Sequence, residues 1–222
     1  LAIALTLAEN DKTKDMIFQE RNSDYDLNEL SEKLKKYTDF KNVWFHIIDN
    51  TGVSVYRSWT NDTNDKIKDF RLDLQEILLK PEVKNTISVG IYDITFKSMI
   101  PIYKDEKFIG ILECITHFNS ITRELRNNQM LEPIILVDKL FTNQLRENSF
   151  TKIFLQDYYV ANLSVSNEIL KYLDSQDLEE FLKIKDYLIK DENLVINIPI
   201  MEDGVKLADI LIFQNINKIN EI

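Results

Sequence analysis

Ile100-Pro-Ile-Tyr-Lys-Asp-Glu-Lys-Phe-Ile-Gly-Ile-Leu112 returns without a gap as Ile198-Pro-Ile-Met-Glu-Asp-Gly-Val-Lys-Leu-Ala-Asp-Ile210. The offset is 98 residues, from Pro101 to Pro199. Each copy reads as a strand, a polar turn and a second strand. An Ile-Pro-Ile match alone arises by chance. Repeated inside a similar order of elements, it points to two related α+β lobes.

Working outward from the first copy, Val43-Trp-Phe-His-Ile-Ile48 and the alternating Val53-Ser-Val-Tyr-Arg-Ser-Trp59 form a hairpin around Asp49-Asn-Thr-Gly52. A helix is expected from Asp65 to Leu79, stopped by Pro81. Strands Ile87–Tyr92, Ile94–Tyr103 and Lys107–Phe118 follow, and Asn119 or Ser120 caps the next helix. Upstream, residues 1–20 and Leu27–Tyr37 show helical spacing, the latter capped by Asp24 or Asp26. Downstream, Pro133–Val137, Thr151–Leu155 and Tyr158–Leu163 read as strands. Asp138–Glu147, Asn167–Leu173 and Asp177–Ile189 read as helices, ahead of the hairpin Leu194–Ile200 and Val205–Phe213. The expected division is a helical segment over 1–41, a first lobe over 42–130 and a second over 131–222.

Composition removes several functions. The 222 residues include 27 basic and 37 acidic side chains, a net charge of −10, which opposes nucleic acid and anionic membrane surfaces as partners. One cysteine excludes a disulfide framework and a zinc–thiolate centre. No apolar run reaches the 20 or so residues needed to span a bilayer. The apolar start, Leu1-Ala-Ile-Ala-Leu-Thr-Leu-Ala8, reads either as the buried end of an ordinary helix or as a cut within a longer one. The two histidines, His46 and His117, lack a second ligand at metal spacing, and no nucleophile elbow or phosphate loop occurs. Neither an enzyme, a metal site nor a cofactor is expected.

A binding site finds more support. Alternation puts Val55, Arg57 and Trp59 on one face, where a guanidinium beside an indole suits a ligand with a carboxylate and an apolar body. The same Arg57 also fits a structural pair with an Asp such as Asp62. Tyr92 and Asp93 fall at a strand end, and Thr95, Lys97 and Met99 share a face, as do Ile111, Glu113, Ile115 and His117. Lys97 and Glu113 either pair across the ladder or line a polar pocket. Arg71 is a further pocket candidate or an ordinary surface pair on its helix. In the second half Tyr158, Tyr159 and Asn162 either pack or form a small aromatic pocket. Cys114, inside an apolar strand, reads as a small buried hydrophobe.

Taken in order, Ile47-Ile-Asp-Asn-Thr-Gly52, Val55-Tyr-Arg-Ser-Trp59, Phe70-Arg-Leu-Asp73, Ser88-Val-Gly-Ile-Tyr-Asp-Ile-Thr-Phe-Lys97, Ile100-Pro-Ile-Tyr103 and Phe108-Ile-Gly-Ile-Leu-Glu113 resemble the double Cache family, in particular the double sensory domain of sensor kinases. The resemblance implies an α+β chain with a long N-terminal helix and two PAS-like lobes, each a mainly antiparallel sheet with flanking helices. It implies a non-catalytic, extracytoplasmic input module of a bacterial receptor, flanked by transmembrane helices, with a homodimer through the N-terminal helix compatible. The ligand it implies is a small carboxylate in the first, membrane-distal lobe, bound by Arg57 and Trp59, with Asp93 as the candidate partner of an amino group; Arg71, Tyr92, Thr95, Lys97 and Glu113, read from their own strand and helix positions, complete the expected pocket. The alternative is a module that recognises a periplasmic protein. Kinase, diguanylate cyclase and chemoreceptor outputs all suit the chain.

Overall fold

The computed structural model describes residues 1–18, 25–38, 40, 42–69 and 71–219. Residues 19–20, Asp24 and Phe70, which carried parts of the expectations above, lie outside them. Apolar alternation in the first half produces a five-stranded antiparallel sheet, with strands β1 (Val43–Asp49), β2 (Ser54–Arg57), β3 (Lys84–Val89), β4 (Ile94–Lys104) and β5 (Lys107–His117) in the order β2-β1-β5-β4-β3. The second sheet contains β6 (Glu132–Val137), β7 (Phe154–Leu155), β8 (Tyr158–Val160), β9 (Leu188–Lys190), β10 (Asn193–Glu202) and β11 (Val205–Asn215), ordered β7-β8-β6-β11-β10-β9. The helices are α1 (Ala2–Ala8), α2 (Asp11–Ile17), α3 (Leu27–Tyr37), α4 (Leu72–Leu79), α5 (Asn119–Gln129), α6 (Thr142–Leu145), α7 (Asn167–Asp174), α8 (Leu178–Leu182) and α9 (Ile216–Ile219). Among the described residues no helix is long and apolar enough to cross a membrane.

The chain packs as two compact units: residues 1–88 with 95–117, and residues 89–94 with 118–222. The repeat survives in three-dimensional detail. Pro101 lies opposite Ile111 in the first hairpin and Pro199 opposite Asp209 in the second, and a bulge follows Ile102 and again Ile200. Both turns take positive φ, at Asp105 and Glu106 and at Asp203 and Gly204. Related residues therefore occupy related places in the two sheets.

In the first unit one sheet face packs on α1–α3. Phe45, Ile47, Ile100, Ile102 and Leu112 meet Ala4, Leu7, Ala8 and Leu27. Two alanines at helical spacing let α1 lie close to the strands. Cys114 packs at this face, where burial pushes its thiol up to about 11, far from a nucleophile's range. Gly110 belongs to the same close approach. A Cβ there would collide with the Ile48 carbonyl oxygen and sit 2.9 Å from Ile17 Cδ1. Gly110→Ala should cost about 1–3 kcal/mol of stability as an overpacked core site, measured by urea unfolding. An unchanged midpoint would contradict this packing.

Several expectations change. The 1–20 helix is broken, because the Asn10 side chain accepts from Lys12 N and starts α2 afresh. Asp26 caps α3 by accepting from Asn28 N. The expected 65–79 helix reduces to a 3₁₀ turn, Ile67–Asp69, and α4. The caps expected at Asn119 or Ser120 are absent: Asn119 lies within α5 and its Oδ1 accepts from Leu163 N. The 177–189 helix stops at Leu182, whose carbonyl accepts from Asn197 Nδ2, and β9 pairs with β10 instead. Tyr158, Tyr159 and Asn162 are packing residues: all three are buried, and Asn162 satisfies Ile135 N and Pro133 O.

Candidate functional site

The other face of the first sheet carries the chemistry. Alternation from β1, β5 and β4 brings Trp44, His46 and Ile48 into one layer with Ile111, Glu113, Ile115 and His117, and with Thr95, Lys97 and Met99. Glu113 lies between His46 and Met99 at the centre of the sheet. A bulge between Ile47 and Ile48 changes the phase of β2, so Ser54 pairs with Ile48 and Arg57 with His46. Val55 packs instead with the helical face, and Trp59 lies beyond the strand, which corrects the shared face expected for Val55, Arg57 and Trp59.

One hydrogen-bonded chain crosses all five strands of this face. Lys97 Nζ donates to Ser88 Oγ at 2.7 Å and to Ser88 O at 2.9 Å. Ser88 Oγ donates to Asp73 Oδ2 at 3.0 Å. Arg71 clamps Asp73, with Nε to Oδ1 at 2.8 Å and NH2 to Oδ2 at 2.6 Å, and its NH2 reaches Glu113 Oε1 at 2.6 Å. Glu113 Oε2 bonds His46 Nδ1 at 2.7 Å, and His46 Nε2 bonds Ser54 Oγ at 2.9 Å. Arg71 is therefore not a surface residue of a helix. It holds the extended N-cap position of α4, which aims its side chain at Glu113. Lys97 lies opposite Ile115 rather than Glu113, so the direct ladder pair gives way to a relay through Ser88.

Burial sets the electrostatics. Arg57, Arg71, Lys97 and Glu113 are 5%, 6%, 4% and 0% exposed. Burial alone would push the Glu113 carboxyl up, but the Arg71 guanidinium and the His46 bond hold it well below the usual carboxylate range. Asp73 is likewise held low against its burial, by Arg71 and then Lys97. Those two carboxylates in turn raise Arg71 despite its burial. Burial lowers His46, against the pull of Glu113. A neutral imidazole facing an ionised Glu113 carries its proton on Nδ1, so Nε2 accepts from the Ser54 hydroxyl. Lys97, Arg71, Asp73 and Glu113 then sum to zero charge.

These directions fix a pH dependence. The unfolded His46 takes up a proton near pH 6.5 while the folded one resists, so stability falls as pH drops below that point, by about 1.4 kcal/mol per pH unit at most. The depressed Glu113 and Asp73 add stability above about pH 4, lost as pH falls further through their folded values. Urea unfolding at pH 8, 6 and 5 should show the first limb, and His46→Gln should flatten it. Stability that rose from pH 7 to 5 would contradict the assignment.

Arg57 stands beside this chain, with NH1 donating to Asp62 O and NH2 to Asp65 Oδ2, both at 2.7 Å. Its guanidinium carbon lies 6.0 Å from the Trp59 ring centre. Trp59 stacks on Trp44 at 4.5 Å and 12°, and His117 meets Trp44 edge-on at 4.1 Å. Six of the eight expected residues, Arg57, Trp59, Arg71, Thr95, Lys97 and Glu113, thus share one face or its rim. Tyr92 and Asp93 fall in the other compact unit. They belong to the 89–94 segment of the second unit, where Tyr92 O accepts from Phe150 N at 2.7 Å and Asp93 acts on Tyr159. Sequence reasoning missed Ser54, Asp65, Asp73 and Ser88 as partners. His46, which lacks a metal partner in the sequence, is a buried, hydrogen-bonded residue of the sheet. Among the described residues no group of three or more His, Cys, Asp or Glu is placed to hold a metal ion.

Among the described residues of the second unit this chain has no counterpart. At the 98-residue offset Lys97 becomes Val195 and Glu113 becomes Leu211, and Ile134 lies opposite Leu211 as His46 lies opposite Glu113. Ile134, Leu136, Val195, Leu211 and Phe213 form an apolar core with Leu178 and Phe181.

Among solved structures, the chain is similar to a domain of a putative sensory box/GGDEF family protein from Vibrio parahaemolyticus (10% identity, TM-score 0.53, covering 99% of this chain and 89% of that one). It also matches the V. cholerae histidine kinase DctB sensor domain (12% identity, TM-score 0.47, 96% and 87% covered). A third match is the sensory domain of the Campylobacter jejuni chemoreceptor Tlp3 with isoleucine bound (14% identity, TM-score 0.47, 99% and 84% covered). At 10% identity the first of these likenesses concerns the fold alone. No curated protein matches the sequence. A family model matches residues 2–181, and the chain belongs to the double Cache family described as the double sensory domain of two-component sensor kinases.

Proposed function

We propose that this chain is the extracytoplasmic input module of a bacterial membrane signalling receptor, and that its first lobe binds a small carboxylate on the charged sheet face. The carrying observation is the buried row Lys97, Arg71, Glu113 and His46, set where the related face of the second unit is apolar. A buried ionic network contributes little to stability compared with apolar side chains of similar volume. Its presence in one lobe only is therefore better explained by recognition than by folding.

In this reading Arg57 takes the carboxylate in a charge-assisted bond, and the Trp44–Trp59 stack with His117 covers the apolar part. Thr95, Lys97, Arg71 and Glu113 form the polar floor. The ligand signals only if the lobe's two states bind it with different affinity. The second lobe and the flanking membrane helices carry the change to the output domain.

The test is a thermal-shift panel of small carboxylates, amino acids and inorganic anions. A ligand specific to the folded state raises the midpoint by mass action, by about 2.7 kcal/mol at a hundredfold over its dissociation constant. Arg57→Ala should weaken the bound carboxylate about ten- to hundredfold by calorimetry. Unchanged affinity would remove Arg57 from the site. A folded, ligand-free protein that answers none of the panel would favour recognition of a protein partner.

A further inference from the structure

We infer that Asp65 is an affinity-setting residue of the Arg57 subsite: its carboxylate holds the guanidinium in the ligand-free lobe, and a ligand carboxylate must displace it. This rests on the proposed carboxylate site.

The two arginines of the face are held differently. Arg71 is clamped by two carboxylates, Asp73 and Glu113, that are themselves at most 9% exposed and joined into the strand-crossing chain. Removing either would uncouple buried charges on both sides. Asp65, a charged partner of Arg57, is of another kind. The Asp65 side chain is 39% exposed, and only Oδ2 engages the guanidinium, at 2.7 Å. Its Oδ1 is buried and accepts no hydrogen bond, so this carboxylate is only half satisfied.

The backbone around Asp65 is secured without its side chain. Asp65 O accepts from Ser54 N at 3.0 Å, Asn64 N donates to Ser54 O at 2.8 Å, and Lys66 forms a bridge with Val53. Asp65 can thus release Arg57 by rotating its side chain toward solvent, with the segment beside β2 left in place. Exchange of one carboxylate for another preserves the charge on the guanidinium, so the buried cation is never left bare. A neutral ligand offers no such exchange. Asp65 therefore both weakens every ligand by the cost of its own displacement and excludes those without an anionic group.

The test compares wild type with Asp65→Asn, Asp65→Ala and Arg57→Ala by calorimetry, using sodium acetate, lactate and succinate at fixed ionic strength. Asp65→Asn should bind whichever of these binds wild type about tenfold more tightly, as expected when a competing charge-assisted bond is lost. Asp65→Ala serves if the asparagine variant does not fold. Affinity that is unchanged or weaker in the folded Asp65 variant, with Arg57→Ala still weakening binding at least about tenfold, overturns the inference and leaves the carboxylate site standing. Affinity unchanged by Arg57→Ala overturns the site itself. If none of the three salts binds either wild type or Asp65→Asn, both fail together.

Discussion

Glu113→Ala will destabilise the first unit by about 3–5 kcal/mol, the largest loss expected of any single change on this face. Glu113 is fully buried and accepts from Arg71 and His46 at once. Its removal leaves Arg71 with Asp73 alone and leaves His46 Nδ1 facing a void. The loss comes chiefly from the uncompensated cation, with a smaller part from the cavity. Glu113→Gln keeps the volume and separates the two: it should still cost most of that amount, because a neutral amide cannot balance Arg71. Chemical denaturation followed by far-UV circular dichroism reads both. A loss below about 1 kcal/mol for either variant would contradict the buried chain.

Replacing His46 by Ile, Arg71 by Met and Glu113 by Leu together should reverse that outcome. The triple variant copies the apolar pair Ile134 and Leu211 of the second unit and removes one positive and one negative charge. Asp73 keeps Lys97 as its counter-charge through Ser88. Hydrophobic substitutes for a buried ionic network are often neutral or stabilising by about 1–4 kcal/mol. We therefore expect a folded protein at least as stable as wild type, far more stable than Glu113→Ala, and unable to bind the ligand that wild type binds. A triple variant that is unfolded would mean the network specifies the fold. One that is folded and binds ligand at full affinity would place the site elsewhere.

What the sequence revealed followed the range of the forces involved. The hairpins were legible because alternation and polar turns are local, and the repeat carried register and bulges from one lobe to the other. Helix α3 was read to the residue because Asp26 and the Leu27, Leu30, Leu34 spacing lie within its own turns. The break at Asn10 hid inside a continuous apolar spacing. The end of α8 depends on Asn197, 15 residues away, and β9 exists only because β10 offers an edge. In the candidate site, the row Thr95, Lys97, Glu113, His117 was legible from alternation. The phase of β2 was not, since the bulge opposite Val55 arises from pairing with β1. Arg71 stayed open between a pocket residue and a surface pair because its partner Glu113 lies 42 positions downstream. The assignment of Tyr92 and Asp93 to the second unit reflects Phe150 and Tyr159, which no local pattern connects to them.

The central claim, that the charged face of the first lobe is where ligand binds, has a built-in reporter. The chain has two tryptophans, Trp44 and Trp59, and they stack on each other at that face. Titrating a calorimetrically confirmed carboxylate into protein with ¹⁵N-labelled indoles reads the site without background. The account predicts that both indole N–H resonances shift with the calorimetric dissociation constant, and that Arg57→Ala weakens the two readouts together, by the same factor. Saturating, calorimetrically measured binding that leaves both resonances unmoved would contradict it.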